Sequence, residues 1–273
     1  MAVLKPITDC DEDTYSSIVG AKRGARKKRL ENIWAIIEKR YGEYESCADK
    51  LESLSTLSLS KVRSNDLRHC FESPTKPLNS LIERLLKIAP ENGSIVCQYC
   101  LFGEIDCVDH YLPKNKFPEF SVLPRNLVPA CSRCNRMKGS KWLHNGDRAI
   151  VSLYFDDVPN EQFIEVDISF PRGNRAKVEF RLTKPAGMQR VVFRRLQQQF
   201  DTLNLIERYN LFGAEFVSEV VAVAHSKRRA RVESNLESSA AGLATQFGRN
   251  YYKSLVYRSL ASNDEFMTLI NAT

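Results

Sequence analysis

Several features that mark other protein classes are missing from this sequence. It has no run of about eighteen apolar residues, which excludes a conventional membrane-spanning helix. The N-terminal stretch MAVLKPITDCDEDTY turns acidic where a secretory signal peptide needs an apolar core, so we expect a cytoplasmic protein. The chain also lacks an internal repeat, a glycine-rich phosphate-binding loop and an ATPase motif. A task that consumes ATP would therefore need a second protein.

Acidic residues are outnumbered by basic ones. The 273 residues include 40 Lys and Arg against 33 Asp and Glu, which gives a formal net charge of +7 at pH 7. An excess of positive charge suits a polyanionic partner such as nucleic acid. The length allows one large domain or two small ones with a sizeable hydrophobic core.

Four of the eight cysteines form two Cys-x-x-Cys pairs, Cys97/Cys100 and Cys131/Cys134. Each pair can present two thiolates to one metal ion, so the pattern predicts a tetrahedral four-thiolate zinc site. Two disulfides or ordinary core cysteines are the alternative, which a reducing compartment disfavours. Because four protein ligands leave no open coordination position, we expect the zinc to be structural. Packing or surface roles are expected for the other cysteines, Cys10, Cys47, Cys70 and Cys107.

An Asp109-His110 pair and two asparagines, Asn126 and Asn135, accompany the cysteines. A carboxylate binds hard divalent cations, and a histidine with an ordinary pKa of about 6.5 can take a proton from water near neutral pH. These groups are suited to hydrolysis of a phosphodiester. Neighbouring residues of a regular strand point to opposite faces, so Asp109 and His110 can converge on one phosphate only if the strand ends, twists or bulges there.

The order Cys-x-x-Cys, Asp-His, Asn, Cys-x-x-Cys-Asn resembles the zinc-stapled branch of the HNH endonuclease superfamily, the ββα-metal nucleases. The resemblance implies that His110 is the general base and that Asn126 orients it by accepting a hydrogen bond from one ring nitrogen. It further implies that Asp109 and Asn135 hold a catalytic Mg²⁺ or Mn²⁺ ion. Many family members have histidine where this chain has Asn135.

Basic residues surround the candidate site. Cations beside a metal-bound phosphate are expected to contact the nucleic-acid backbone without reading its sequence. An ordinary solvated surface is the alternative explanation. The predicted contacts are Lys114, Lys116, Arg125, Arg133, Arg136 and Lys138.

The whole sequence predicts an α+β fold, with a zinc-stapled ββα-metal HNH core, N-terminal helices, a small antiparallel sheet and a C-terminal helical region. The expected parts are an N-terminal helical arm at 1–90, the core at 91–147, antiparallel strands at 148–185 and the helical region at 186–273.

Hydrophobic periodicity locates the expected elements more closely. After an acidic, mobile start we expect one helix across 21–46, a second at 61–71 and a third that begins at a capping box formed by Ser80 and Glu83. Three antiparallel strands are expected at 149–157, 162–170 and 176–183. Further helices are expected through 192–203, 212–223, 226–247, 251–260 and 264–270.

The phrase DHYLPKNKFPEFSVLPRNLVPACSRCN is similar to HNH subunits of bacterial anti-phage systems that act beside an ATPase, such as Septu and its retron-linked relatives. This resemblance implies a defence role and an ATPase partner. We expect a metal-dependent endonuclease that cuts DNA. The alternatives are an RNA endonuclease acting on transfer RNA, a catalytically silent zinc module that binds nucleic acid, and a scaffold subunit that docks a partner.

Overall fold

The computed structural model describes residues 11–88, 96–156, 158, 161–172, 175–224 and 229–271. They belong to two compact units. The described parts of Val3–Ala89 and Glu104–Asp157 form the N-terminal unit, and those of Pro90–Gly103 and Val158–Thr273 form the C-terminal unit. No helix in these ranges is both long and apolar enough to cross a bilayer.

The N-terminal unit begins with helices and continues into a short hairpin. Its helices are α1 Asp11–Gly20, α2 Gly24–Glu31, α3 Trp34–Ser46, α4 Lys61–Glu72 and α5 Lys76–Leu86. Strands β1 Cys107–His110 and β2 Leu127–Ala130 follow, and then helix α6 Ser132–Lys138 and the strands β3 Leu143–His144 and β4 Asp147–Arg148. β1 pairs antiparallel with β2, and β3 pairs antiparallel with β4.

Helix α3 fixes the long loop that joins β1 to β2. Arg40 donates to Glu119 through Nε at 3.1 Å and Nη2 at 2.9 Å, and Glu119 is almost completely buried. Tyr44 packs on Phe120 with ring centroids 5.0 Å apart, and its hydroxyl donates to the Arg125 carbonyl at 3.1 Å. The loop is therefore anchored near its centre and near its end.

Three helix predictions for the N-terminal unit need correction. Residues 11–20, expected to be mobile, form α1, which buries Tyr15, Ile18 and Val19; residues 1–10 lie outside the described ranges. The helix expected across 21–46 is divided into α2 and α3, because a tighter turn with Ile33 N donating to Leu30 O ends α2. Helix α5 begins at Lys76, well before Ser80, since Pro77 in the first turn suits a helix start.

The C-terminal unit packs a two-stranded sheet against helices. It contains β5 Ile164–Arg172, β6 Arg175–Leu182, α7 Arg190–Thr202, α8 Leu205–Ala224, α9 Arg229–Phe247, α10 Tyr252–Ala261 and α11 Asp264–Asn271. The strands are antiparallel, with Val166 opposite Phe180. Where α8 crosses β6, a Cβ on Gly213 would lie 2.6 Å from Phe180 Cε2, so glycine permits this close approach.

Side chains from the helices and from the turn between α10 and α11 bind backbone groups of the β5–β6 hairpin. On β5, Asn263 Nδ2 donates to Ile168 O at 2.7 Å, and Glu265 accepts from Phe170 N at 2.7 Å. On β6, Asn210 accepts from Phe180 N at 2.7 Å.

The α+β fold class is confirmed, as are the helices expected at 61–71 and along the C-terminal region. Of the three expected strands, those at 162–170 and 176–183 form the β5–β6 hairpin. The first is wrong within the described residues, because the segment bends at Ser152: Asp156 Oδ2 accepts from Ser152 N at 2.7 Å, and Ser152 O accepts from Asp156 N at 2.9 Å. Arg148 holds this bend by pairing with Asp156 at 2.9 Å.

Candidate functional site

The candidate site is built on the end of β1. Asp109 lies opposite Val128 of β2, and His110 lies opposite Leu127 and is the last residue of the strand. Beyond it, Tyr111 N still donates to Asn126 O at 2.8 Å. β1 thus ends at His110, which is one of the conditions under which Asp109 and His110 could act on one phosphate.

The carboxylate of Asp109 is buried and paired with a cation. Lys138 Nζ lies 2.9 Å from Asp109 Oδ2, with side-chain exposures of 0% and 3%. The same ammonium group donates to the backbone carbonyl of His110 at 2.6 Å. Lys138 is therefore part of the interior of the site, whereas the sequence indicated a contact with nucleic acid.

A backbone carbonyl holds the His110 ring. Its Nε2 lies 3.0 Å from the carbonyl oxygen of Ser121. Because a carbonyl oxygen can only accept, Nε2 carries the hydrogen, and in the neutral ring the lone pair lies on Nδ1. Burial lowers the pKa of His110 from 6.5 to about 3, against the opposing effect of the Ser121 hydrogen bond. The imidazole is accordingly neutral at pH 7, and the same burial weakens it as a proton acceptor, because a base works best when its pKa lies near the working pH.

The side-chain amide of Asn126 binds backbone groups of the loop. The family resemblance implied a hydrogen bond to the His110 ring instead. Asn126 is fully buried. Its Oδ1 accepts from Leu112 N at 2.8 Å, and its Nδ2 donates to Leu112 O and Phe120 O, each at 3.1 Å. Since Phe120 directly precedes Ser121, Asn126 fixes the backbone whose carbonyl holds His110. Its influence on the ring is indirect.

Asn135 of α6 faces the same side of β1 as Asp109. Its Nδ2 lies 3.5 Å from Cys107 Sγ, and Cys107 is two residues before Asp109, hence on the same face of the strand. A carboxylate and an amide can supply the oxygen ligands that hard divalent cations prefer. Asp109 and Asn135 therefore have the ligand types that a divalent ion prefers, and the Lys138 ammonium group already pairs with the Asp109 carboxylate.

The four cysteines of the two pairs come together. Their Sγ atoms lie within 4.8 Å of one another, and all four residues are buried. A tetrahedral zinc with Zn–S bonds of about 2.3 Å would place its sulfurs about 3.8 Å apart, so the cluster fits one ion after small adjustments. A zinc ion bound there would be structural, with no open position for chemistry.

Local backbone geometry supports thiolate ligation. In the first pair Gly103 N donates to Cys100 Sγ at 3.3 Å, and in the second Cys134 N donates to Cys131 Sγ at 3.4 Å. Such bonds favour the charged thiolate. The first pair is held within its own unit by Tyr209 of α8, whose hydroxyl donates to the Cys100 carbonyl at 2.7 Å.

The other predicted nucleic-acid contacts fall into two groups. Lys114 lies 3.1 Å from Glu72, and Arg125 forms an ion pair with Glu45. The exposed group comprises Lys116, Arg133 and Arg136. Sequence reasoning did not find the Ser121 carbonyl or the pairing of Lys138 with Asp109. Lys138 follows Asn135 by three residues on a short helix, and this spacing was the signal in the sequence for the pairing of Lys138 with Asp109.

Comparison with known proteins agrees with this geometry. Residues 97–141 match the family model described as HNH endonuclease. The resemblance inferred from the sequence is confirmed for this region, and the match supports a nuclease acting on phosphodiester bonds. The clustered cysteines fit the zinc-stapled form of the domain.

Two curated proteins are similar to the chain over very different lengths. Protein ea31 of Escherichia phage lambda is 27% identical over 231 residues, which are 78% of this chain and 75% of ea31. Septu protein PtuB of Bacillus thuringiensis is 52% identical over 33 residues, which are 12% of this chain and 13% of PtuB. No solved structure matches the chain significantly.

Proposed function

We propose that this protein is a metal-dependent endonuclease that cuts DNA and acts as the effector of an anti-phage system. The observation that carries the proposed chemistry is the state of His110. Its Nε2 is bound to the Ser121 carbonyl at 3.0 Å, so the neutral ring presents Nδ1 as a base. In the proposal, Nδ1 removes a proton from the water that attacks the scissile phosphorus.

Asp109 and Asn135 are the proposed ligands of the catalytic cation. When bound, Mg²⁺ or Mn²⁺ would contact the scissile phosphate and stabilise charge on the leaving oxygen. Lys138 compensates the buried Asp109 carboxylate at 2.9 Å. Asn126 keeps the loop closed through its three backbone hydrogen bonds and so maintains the position of the Ser121 carbonyl.

The exposed cations are the proposed contacts to the nucleic-acid backbone. Lys116 belongs to the loop after β1, while Arg133 and Arg136 belong to α6. Lys114 and Arg125 are assigned the same role, and a phosphate would replace the carboxylates of Glu72 and Glu45 as their partners. Lys138, which is fully buried, is assigned to Asp109 and to the His110 carbonyl.

The defence role and the ATPase partner rest on narrower support than the nuclease chemistry. The similarity to PtuB, 52% identity, spans only 33 residues. The longer similarity is to a protein of phage lambda. An ATP-hydrolysing partner would supply a motif that this sequence lacks.

Cleavage assays with plasmid DNA and with total small RNA test the proposal. The native protein is compared with His110→Ala and with the exposed-histidine control His144→Ala, each with Mg²⁺ or Mn²⁺ and with or without the products of neighbouring genes. We expect His110→Ala to lower the rate of DNA cutting by a factor of about 100 or more, and His144→Ala to leave the rate unchanged. If the protein cuts RNA and leaves DNA intact, the substrate is RNA and not DNA. Cutting that survives His110→Ala would refute the assigned base.

A further inference from the structure

The His110 ring contacts a residue from outside the β1–β2 hairpin and its loop. Phe71, near the end of α4, packs against it with ring centroids 4.3 Å apart and an interplanar angle of 74°. We propose that Phe71 is a positioning residue that holds the His110 imidazole in its reactive orientation. This inference rests on the proposed function, in which His110 is the base.

One hydrogen bond cannot fix an imidazole ring. The contact between Nε2 and Ser121 O sets the position of one ring edge but leaves rotation about that hydrogen bond. An edge-to-face aromatic contact restrains this rotation, because the attraction depends on the angle between the rings. Together the Ser121 carbonyl and the Phe71 ring determine where Nδ1 points.

The end of helix α4 that carries Phe71 is fastened to the loop after β1. Glu72 pairs with Lys114 at 3.1 Å, and the Lys114 ammonium lies 5.3 Å from the centroid of the Phe71 ring. One turn earlier, Arg68 Nη1 donates to Asn115 Oδ1 at 3.4 Å. The end of α4 is thereby joined to the loop that follows β1.

A buried lysine also fixes the same helix end. Lys22 Nζ donates to the carbonyls of His69, Cys70 and Ser73 at 3.1, 3.4 and 2.8 Å. These carbonyls lie in the last turn of α4 and at its cap, where a helix leaves acceptors without intrahelical partners, and the His69 carbonyl also accepts from Ser73 N at 3.2 Å. Since Phe71 lies among them in sequence, its backbone is held while its half-buried side chain reaches His110.

The half-buried state of Phe71 makes the inference testable. A side chain required by the core would be fully enclosed, and truncating it would unfold the protein. Phe71 retains exposure, so removing its ring should disturb His110 more than the fold. The competing explanation is that Phe71 merely covers His110, whose exposure is 8%, and excludes substrate.

The decisive variants are Phe71→Ala and Phe71→Tyr, with Val62→Ala as the control because Val62 is an exposed apolar residue of the same helix. We expect Phe71→Ala to lower kcat roughly 10- to 100-fold with KM within about twofold, as misorientation of a catalytic group does. Phe71→Tyr, which keeps the ring, should stay within about threefold of the native kcat. A rise in activity, a change in KM alone, or equal losses in the two variants would overturn the inference.

A spectroscopic measurement separates this inference from the proposed function. The chain has 4 histidines, so NMR resonances of the His110 ring can be assigned by comparison with His110→Ala. Loss of the Phe71 ring current in Phe71→Ala should shift and broaden them, whether or not the protein cuts nucleic acid. Unchanged resonances would refute the contact. If the native protein cuts and His110→Ala does not, native activity of Phe71→Ala would disprove the role of Phe71 and leave the proposed function standing.

Discussion

Lys138 and Asp109 form an ion pair that is enclosed on all sides, with Nζ 2.9 Å from Oδ2. The pair joins α6 to the end of β1. A carboxylate in this position needs a counter-charge, because an uncompensated buried charge is costly. A divalent cation on Asp109 would meet the same need, so the ammonium group and such an ion would compete for one carboxylate.

Replacing Lys138 with methionine should therefore make stability depend on divalent cations. In their absence we expect Lys138→Met to lose about 3 kcal/mol of unfolding free energy, because Asp109 is left without its partner. Mn²⁺ should recover part of that loss and stabilise the native protein less. Chemical denaturation with and without Mn²⁺ measures both. Lys141→Met, at an exposed cation just beyond α6, is the control; equal stability of the two variants would contradict the prediction.

Truncation of Asn126 should weaken both the loop and catalysis. Asn126→Ala leaves the backbone groups of Leu112 and Phe120 without their side-chain partner, which we expect to cost about 2–3 kcal/mol. Because the Ser121 carbonyl would then move, cutting should also fall. Urea unfolding and cleavage rates check the two effects. Full activity in a destabilised Asn126→Ala would show that the loop does not control His110.

The four-cysteine cluster predicts bound zinc. Elemental analysis of the purified protein should find one zinc per chain, and Cys131→Ser should reduce it, because a thiolate ligand is lost. Cys47→Ser, at a cysteine outside the cluster, should leave the zinc content unchanged. A strong chelator should lower the melting temperature of the native protein. A chelated protein with an unaltered melting curve would argue against a structural ion.

The sequence located the residues of the site but not all of their partners. Cysteine spacing and the Asp-His pair carry their chemistry in the residue types themselves, so Cys97 or His110 can be found by inspection. The Ser121 carbonyl cannot, since every residue has one. Phe71 is separated from His110 by thirty-eight intervening residues in the printed sequence, and only tertiary packing reveals that they meet.

The same distinction applies to the fold. Apolar residues at helical spacing located α4 and the helices from α7 onward because each buries one face. Helix α1 escapes prediction although Tyr15, Ile18 and Val19 have the right spacing, because the three acidic residues at its start favour a mobile tail. The apolar run around Ser152 predicts a strand, and only the hydrogen bonds between Ser152 and Asp156 show that it bends.

A buried carboxylate in the helical arm should make stability depend on acid pH. Burial alone would raise the pKa of Asp66, but hydrogen bonds from Arg29 and Arg26 outweigh it and lower the pKa below its ordinary 3.8. The stabilisation is thus present above the unfolded-state pKa and is lost as pH falls through the folded one. Asp66→Asn should melt several degrees lower at pH 7, with a difference that shrinks below about pH 4. Asp13→Asn, at an exposed position, should show no such convergence.

Two helical glycines should respond in opposite ways to alanine. At Gly213 a Cβ would lie 2.6 Å from Phe180 Cε2 and 3.0 Å from Val178 Cγ1, so Gly213→Ala should cost about 1–3 kcal/mol. At Gly242 nothing lies within 4 Å, so Gly242→Ala should gain about 0.5–1 kcal/mol from reduced freedom of the unfolded chain. Thermal unfolding of both variants checks the signs. A stabilising Gly213→Ala would show that α8 can move away from β6.

The side chains that bind the β5–β6 hairpin also limit how this protein can associate. A two-stranded sheet has two outer edges, and an exposed edge is a template for strand addition from another chain. Asn263, Glu265 and Asn210 already occupy backbone groups of these strands. An incoming strand would have to displace them, so the hairpin is protected against edge-to-edge aggregation and is a poor site for recruiting an extended peptide.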